Sequence, residues 1–216
     1  MGDRIPSSTR AVVVRSEGSV FSSGIDLRAF SPEGVDGERV LARIAESDDA
    51  EAVQLIAEFQ SGFTWLHDID VPTIAVVQGA AVGAGFQLAL ACDLRICSTA
   101  ARFAMRETSL GLVPDLTGTH PLVRSVGYSR AVELCATGRW VDADEALRLG
   151  LATSVAAPED LALAVDDLVA ALVSAPAAAV AATKRLLRNA LDADARAQRE
   201  AERVAQVALI RGLLPG

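Results

Sequence analysis

The chain has 216 residues, of which 51% are hydrophobic and only 4% aromatic, so we expect an α/β domain whose core consists of Ala, Val and Leu. The formal net charge of −8 excludes a global basic field for nucleic acid or an anionic membrane surface. A small anionic ligand needs only a local basic pocket, so that class of ligand stays open.

The three cysteines, Cys92, Cys97 and Cys135, have the spacing of neither a zinc site nor a disulfide framework. Reduced and buried thiols are typical of a cytoplasmic protein. No charged-then-apolar leader is visible at the N-terminus, and no uninterrupted apolar run reaches the ~20 residues of a membrane span. We therefore expect a cytoplasmic protein with no metal site and no membrane partner.

A short β-branched run in the first half of the chain predicts a buried strand at 11–14 (AVVV). A second buried strand is predicted at 71–79 (VPTIAVVQG) and a third strand at 94–98 (LRICS). A Gly/Ser-rich loop follows the first run, and a helix is predicted to begin with FQLALACD at residue 86. The segment between the first two runs has apolar residues at helical spacing. These are Val53, Ile56, Phe59 and Phe63.

The second half of the chain changes from a loop pattern to a helical one. Residues 101–122 contain two glycines and two prolines and are predicted to be loop-like. Helices are predicted at 128–138, ending at a glycine, and at 142–150, with Asp142 as N-cap. The pattern is helical from about residue 159 onward. We therefore divide the chain into a core of residues 1–158 and a C-terminal helical segment of residues 159–216.

The segment GAAVGAGFQLALACD at 79–93 places three glycines between a predicted strand and a predicted helix. This order points backbone N–H groups and the positive end of a helix dipole at one place. The glycine spacing departs from the dinucleotide fingerprint and lacks the Gly-Lys-Ser/Thr of a P-loop. Close strand–helix packing is one interpretation. An oxyanion hole is another, with a second N–H donor from FSSGIDL at 21–27.

Three segments taken in order resemble the enoyl-CoA hydratase/isomerase (crotonase) family, over roughly residues 11–190. They are VFSSGIDL, VPTIAVVQGAAVGAGFQLALACDLRI and RFAMRETSLGLVPDLTGTHPLVRSVG. The resemblance implies an α/β spiral of ββα units with a helical C-terminal segment used for oligomerisation, usually as a homotrimer or a hexamer. The comparison with that pattern implies a chain shortened at both ends and without the first ββα unit. A shortened variant, a true start further upstream and oligomer contacts that cover the gap all stay open.

The resemblance also implies which groups bind the substrate, an acyl-CoA thioester. The backbone N–H groups of Ile25 and Ala84 would form the oxyanion hole for the thioester oxygen. Asp26, Leu27 and Arg28 match the stretch that lies along bound CoA, and Arg28 would meet a phosphate or the adenine region. No cofactor is implied, because CoA is part of the substrate.

Two positions that commonly carry catalytic glutamates in the family fall at Gln87 and Glu107. Gln87 can orient a substrate group or a water but cannot take up a proton near neutral pH. A hydratase of this type uses two carboxylates, one as base and one as acid, so Gln87 disfavours efficient hydration. Asp115 stands where the dienoyl-CoA isomerase branch has an acid opposite the glutamate. The resemblance thus implies an enzyme of fatty-acid metabolism, an isomerase rather than an efficient hydratase, with Glu107 and Asp115 catalytic.

Several alternatives stay open at this point. Asp115 can instead be a turn residue after Pro114. The chain can be a non-catalytic acyl-CoA-binding or scaffold protein that retains the oxyanion hole but has lost the catalytic activity. It can also be a protein that shares only the fold and binds another ligand. A halide-displacing relative, with Asp115 as nucleophile and His67 assisting, is a less favoured hypothesis.

Overall fold

A computed structural model of the chain describes residues 5–31, 34–35 and 39–214. Its strands form two sheets, and each strand is between two and five residues long. The strands are β1 (Val12–Arg15), β2 (Thr73–Val77), β3 (Ala80–Val82), β4 (Leu94–Ser98), β5 (Arg102–Ala104), β6 (Val141–Asp142) and β7 (Ser154–Ala156).

Helices connect the strands and continue beyond the last of them. Short 3-10 helices lie at Leu27–Phe30 and Glu107–Leu110. The α-helices of the described residues are α1 (Val40–Glu46), α2 (Asp49–Asp68), α3 (Ala84–Ala91), α4 (Thr119–Val126), α5 (Tyr128–Thr137), α6 (Ala143–Arg148), α7 (Leu161–Ser174), α8 (Ala177–Asn189) and α9 (Ala195–Leu213).

The larger sheet is parallel throughout and has the order β1-β2-β4-β7. Every residue of β2 is buried, as expected for a central parallel strand that is covered on both faces. On one face Leu161 and Val165 of α7 pack against Ile74, Val76 and Ile96. The other face belongs to the main core, where the rings of Phe86 and Phe103 have centroids 5.1 Å apart. The α/β class expected from the sequence is therefore confirmed.

The smaller sheet, of order β3-β5-β6, determines where the candidate site forms. β3 and β5 are parallel, with Val82 opposite Ala104, so both strands end at the same edge. On the other side of β3, a parallel bridge joins Ser22 to Ala81. Three chain segments therefore run side by side, and the residues that follow them emerge at one edge of the sheet.

Several predicted elements agree with the structure and others need correction. The strand predicted at 94–98 is β4, and the helix predicted at 128–138 is α5. The strand predicted at 71–79 is wrong at its end, because β2 stops at Val77 and a separate strand, β3, lies within the predicted glycine turn. The loop predicted at 101–122 contains β5, a 3-10 helix and the start of α4.

The three C-terminal helices account for most of residues 159–216, and the division at residue 158 stays a prediction. Lys184 of α8 is tied to the core, since its Nζ donates to Oδ2 of Asp93 over 2.7 Å and to the carbonyl oxygen of Val71 over 3.0 Å. The same Asp93 oxygen accepts from the backbone N–H of Thr73 over 2.8 Å, which fixes the start of β2.

Among the described residues, no single helix has both the length and the apolarity needed to cross a membrane. α7 and α8 pass that test only as a pair, and their axes are bent by 102°.

Candidate active site

The predicted oxyanion hole involves two segments that the structure places in contact. The backbone N–H of Val82 donates to the carbonyl oxygen of Ser22 over 2.9 Å, so residues 22–24 run beside β3. A Cβ on Gly24 would lie 2.7 Å from the carbonyl oxygen of Val82 and 3.7 Å from the backbone nitrogen of Ala84. With φ of +90°, Gly24 also has a conformation that other residues rarely adopt. Only glycine allows this approach.

The two N–H groups at this place have no acceptor within the described part of the chain. Ile25 follows Gly24, and its N–H makes no hydrogen bond to a described residue. Ala84 is the first residue of α3, so its N–H has no partner inside the helix. The positive end of the helix dipole adds to its attraction for negative charge. Both groups are therefore available as donors to a ligand oxygen.

Glu107 lies against the start of the same helix. It lies three residues beyond the end of β5, directly after Arg106, and it is only 8% exposed. Gly83, the N-cap of α3, has φ of +52°. A methyl group there would lie 3.3 Å from Oε1 of Glu107 and 3.9 Å from Oε2. The pairing of β3 with β5 thus places a carboxyl group beside the helix N-terminus that carries the Ala84 N–H.

Gln87 connects Glu107 to a loop on the opposite side. Its side chain is 1% exposed and its Nε2 donates to Oε1 of Glu107 over 2.7 Å. Its Oε1 accepts from the backbone N–H of Leu116 over 2.8 Å and from that of Gly118 over 3.2 Å. The amide orientation follows from this, because only the oxygen can accept from two N–H donors. We call this set of three hydrogen bonds the Gln87 bridge.

The two oxygens of Glu107 consequently differ. Oε1 accepts from Gln87, whereas Oε2 is buried and has no hydrogen-bond partner among the described residues. Burial raises the pKa of Glu107, and the negative charge of Asp115 adds to that rise. The nearby backbone N–H groups of Glu107 and Arg106 and the hydrogen bond from Gln87 oppose it. A raised pKa makes a carboxyl group better suited to act as a general acid or base.

Asp115 lies near Glu107, in the loop that leads to α4. Its carbonyl oxygen accepts from Nε2 of Gln60 over 2.7 Å, which ties the loop to α2. Its carboxylate receives no hydrogen bond from a described residue and is close enough to affect the pKa of Glu107. Two residues later, Thr117 has φ of +70°. Gln87 links Glu107 to the backbone of Leu116, so the loop that carries Asp115 lies close to Glu107, and the catalytic role of Asp115 stays a prediction.

The predicted CoA-contacting residues lie on the surface beyond Ile25. Leu27 is 65% exposed. Arg28 donates from Nε to both carboxylate oxygens of Asp26, over 3.1 Å and 3.0 Å, and from Nη2 over 2.5 Å. Each partner shifts the pKa of the other, downward for Asp26 and upward for Arg28. The predicted contact of Arg28 with CoA would have to form beside this ion pair or in its place.

Two further arginines near the site escaped the sequence analysis. The guanidinium groups of Arg102 and Arg106 lie over the ring of Trp140, 4.4 Å and 5.4 Å from its centroid. Neither has a carboxylate partner among the described residues. The spacing of Arg102 and Arg106 in RFAMRE places them close together, but only the fold shows that Trp140 lies beneath them.

The histidines line a different cavity, of about 830 Å³, between the core and α8. His67, His120, Thr117 and Lys184 line it, but Glu107 and Asp115 do not. The hypothesis of a halide-displacing site with His67 assisting Asp115 gains no support from this arrangement. Within the described residues there is no group of three or more side chains suited to hold a metal ion.

Residues 4–212 match the family model described as enoyl-CoA hydratase/isomerase. A candidate enoyl-CoA hydratase from Thermobifida fusca YX, solved in complex with acetoacetyl-CoA, is 50% identical and has a TM-score of 0.92. The match covers 98% of this chain and 82% of that one. A second structure of the Thermobifida protein, in complex with CoA, covers 80% of its chain.

The candidate enoyl-CoA hydratase/isomerase YngF of Bacillus subtilis is 36% identical over 189 residues, which are 87% of this chain and 67% of YngF. The fatty acid oxidation complex subunit alpha of Pseudomonas putida KT2440 is 35% identical over 171 residues. These are 79% of this chain but only 22% of that subunit, so the chain spans about a fifth of its length. These matches confirm the crotonase-like fold, and the chain belongs to the enoyl-CoA hydratase/isomerase family.

Proposed function

We propose that the protein binds an acyl-CoA thioester and moves the double bond of an enoyl-CoA, with Glu107 and Asp115 transferring protons. The observation that carries this proposal is the Glu107 carboxyl group. One of its oxygens is held by Gln87, and the other is buried without a partner beside the N-terminus of α3. The Thermobifida neighbour, solved with acetoacetyl-CoA and with CoA, supports the substrate class.

In the proposed reaction, the N–H groups of Ile25 and Ala84 donate to the thioester oxygen. One carboxyl group removes a proton from a carbon at one end of the reacting segment, and the electron pair of that C–H bond delocalises onto the thioester oxygen. The hole and the helix dipole stabilise the resulting dienolate, an effect worth several kcal/mol in comparable sites. The second carboxyl group returns a proton to the carbon at the other end, which shifts the double bond.

The electrostatics of the two acids suit this division of work. Burial raises the pKa of Glu107, so its carboxyl group holds a proton more readily than an exposed glutamate does, and Glu107 is suited to return the proton. The Asp115 carboxylate, which lacks a hydrogen bond from any described residue, is suited to remove one. Hydration would additionally need a base that holds water. Gln87 cannot serve as that base, because an amide does not take up a proton near neutral pH.

The direct test is the assay of double-bond migration and of hydration on enoyl-CoA substrates of several chain lengths. Glu107→Gln should lower kcat for migration by about 10²- to 10⁴-fold, the usual contribution of a general acid or base. Glu58→Gln, an exposed change of the same type on α2, serves as control. Unchanged turnover in Glu107→Gln would refute the assignment, and tight acyl-CoA binding without turnover would favour the alternative of a non-catalytic binder.

We also propose that α8 and α9 form subunit contacts in a homotrimer or hexamer. Apolar side chains on these helices are exposed in the single chain and would be covered by a neighbour. They include Leu187, Val204, Val207, Ile210 and Leu213. Light scattering coupled to gel filtration should give three or six times the monomer mass, and a monomer at all concentrations would refute this part of the proposal.

A further inference from the structure

The position of Gln87 raises the question of why an amide, rather than a carboxylate, occupies the first turn of α3. The groups on its two sides need opposite hydrogen-bonding partners. The backbone N–H groups of Leu116 and Gly118 require an acceptor, and Oε1 of Glu107 requires a donor or a proton. A carboxylate at position 87 could accept from the two backbone N–H groups. It would, however, place one of its own oxygens about 2.7 Å from Oε1 of Glu107, where like charges repel. A glutamine amide supplies both the acceptor and the donor at neutral pH.

The loop on the far side of the Gln87 bridge is built around this amide. Leu116 and Gly118 flank Thr117, which is the one non-glycine residue with positive φ among those the structure describes. Such a conformation is unfavourable for a β-branched residue, so the surrounding contacts must maintain it. A Cβ on Gly118 would lie 2.6 Å from Cγ of Gln87. Gly118 therefore allows the close approach on which the two hydrogen bonds depend.

The same bridge decides which atom of Glu107 can react. Oε1 is occupied by the Nε2 donor, so Oε2, buried and without a described partner, is the oxygen left to exchange a proton with substrate. Asp115 directly precedes the bridged segment, and Gln60 fixes its carbonyl oxygen. Two glutamine side chains from α2 and α3 thus determine the placement of the loop that carries the second acid.

We propose that Gln87 is a positioning residue that directs proton transfer to Oε2 of Glu107, fixes the loop carrying Asp115, and thereby favours double-bond migration over hydration. This inference rests on the function proposed above. Gln87 contributes no proton. Both acceptor sites of its oxygen and one of its N–H donors are used within the protein. Gln87 can therefore donate at most one N–H to a water molecule and cannot accept a proton from it.

Two variants separate positioning from catalysis. Gln87→Met removes all three hydrogen bonds while keeping an unbranched side chain. It should lower kcat roughly 10- to 100-fold, as expected for a small misplacement of a reacting group, and leave KM within about 3-fold because the hole is untouched. Gln87→Glu restores an acceptor for the loop, so it should regain part of kcat and raise the ratio of hydration to migration. Gln54→Met, exposed on α2, is the matched control.

A readout other than turnover distinguishes positioning from general support of the fold. The pKa of Glu107 is raised overall, and the hydrogen bond from Gln87 reduces that rise. Gln87→Met removes this bond and should therefore move the titration of Glu107 to higher pH. Carbon-13 NMR of labelled glutamate carboxyl groups can follow that titration, with Glu107→Gln identifying the signal. Gln54→Met should leave it unchanged.

The NMR titration also separates failure of this inference from failure of the proposed function. If the wild-type protein turns over no enoyl-CoA, the proposed function fails, but the Glu107 titration still tests the bridge. An unchanged titration and an unchanged kcat in a folded Gln87→Met protein would overturn the inference. A lower melting temperature with neither effect would overturn it as well, because Gln87 would then support only the fold.

Discussion

Glu107 and Gln87 lie twenty residues apart in sequence and form a buried hydrogen bond of 2.7 Å between Oε1 and Nε2. The bond exists because β3 and β5 are adjacent parallel strands, so that the elements following them begin at the same edge of the small sheet. The bond leaves one free carboxyl oxygen beside the N-terminus of α3.

The raised pKa of Glu107 predicts a pH dependence of stability. A carboxyl group that binds its proton more tightly in the folded than in the unfolded state stabilises the fold most when it is protonated. The free energy of unfolding should therefore fall as pH rises from the ordinary value of 4.5 toward the raised value in the folded protein. In Glu107→Gln this contribution should be absent. Denaturant unfolding of both proteins between pH 4 and 8 measures the difference, and parallel curves would contradict the raised pKa.

Gly24→Ala should damage both the fold and the hole. The new Cβ would lie 2.7 Å from the carbonyl oxygen of Val82, in a backbone conformation with φ of +90°. We expect a loss of about 1–3 kcal/mol in stability together with weaker acyl-CoA turnover. Gly18→Ala is the matched control, since nothing lies within 4 Å of a Cβ there. Equal behaviour of the two variants in unfolding and in kcat would show that residues 22–24 do not shape the hole.

Lys184→Met should destabilise the protein through the loss of a largely buried ion pair. The side chain of Lys184 is 10% exposed and that of Asp93 23%, and the loss would leave Asp93 with its hydrogen bonds from Thr73. We expect a cost of about 3 kcal/mol, the low end for breaking such a pair. Arg185→Met, one residue along α8, breaks a pair with Asp70 that is about half exposed and should cost less than ~1 kcal/mol. Thermal unfolding measures both, and similar losses would contradict this account.

Arg28 and Asp26 should affect CoA binding in opposite directions. If Arg28 contacts a CoA phosphate, Arg28→Met should raise KM about 2- to 5-fold at unchanged kcat, as expected for an exposed ion pair. Asp26→Asn removes the competing carboxylate and should lower KM by a similar factor. Added salt should weaken both effects. A KM that responds to neither change would remove Arg28 from the CoA site.

Local sequence alone predicted some of the elements correctly. The short segment LRICS at 94–98 predicted β4, and helical spacing followed by a glycine predicted α5. β3 and β5 were missed because a three-residue strand has no readable period and is defined by pairing across about twenty residues. The sequence resemblance identified Gln87 and Glu107 as the informative positions. It could not show their hydrogen bond, which depends on where the loop at 116–118 lies.

In the proposed mechanism, the site removes a proton next to a thioester carbonyl and stabilises the resulting enolate. Incubation with butyryl-CoA in deuterium oxide tests this claim without assuming either migration or hydration. Proton NMR should show exchange at the carbon next to the thioester carbonyl with the wild-type protein, and exchange at least about 100-fold slower with a folded double variant, Glu107→Gln with Asp115→Asn. Bound butyryl-CoA that shows no exchange, or equal exchange in the double variant, would contradict the claim.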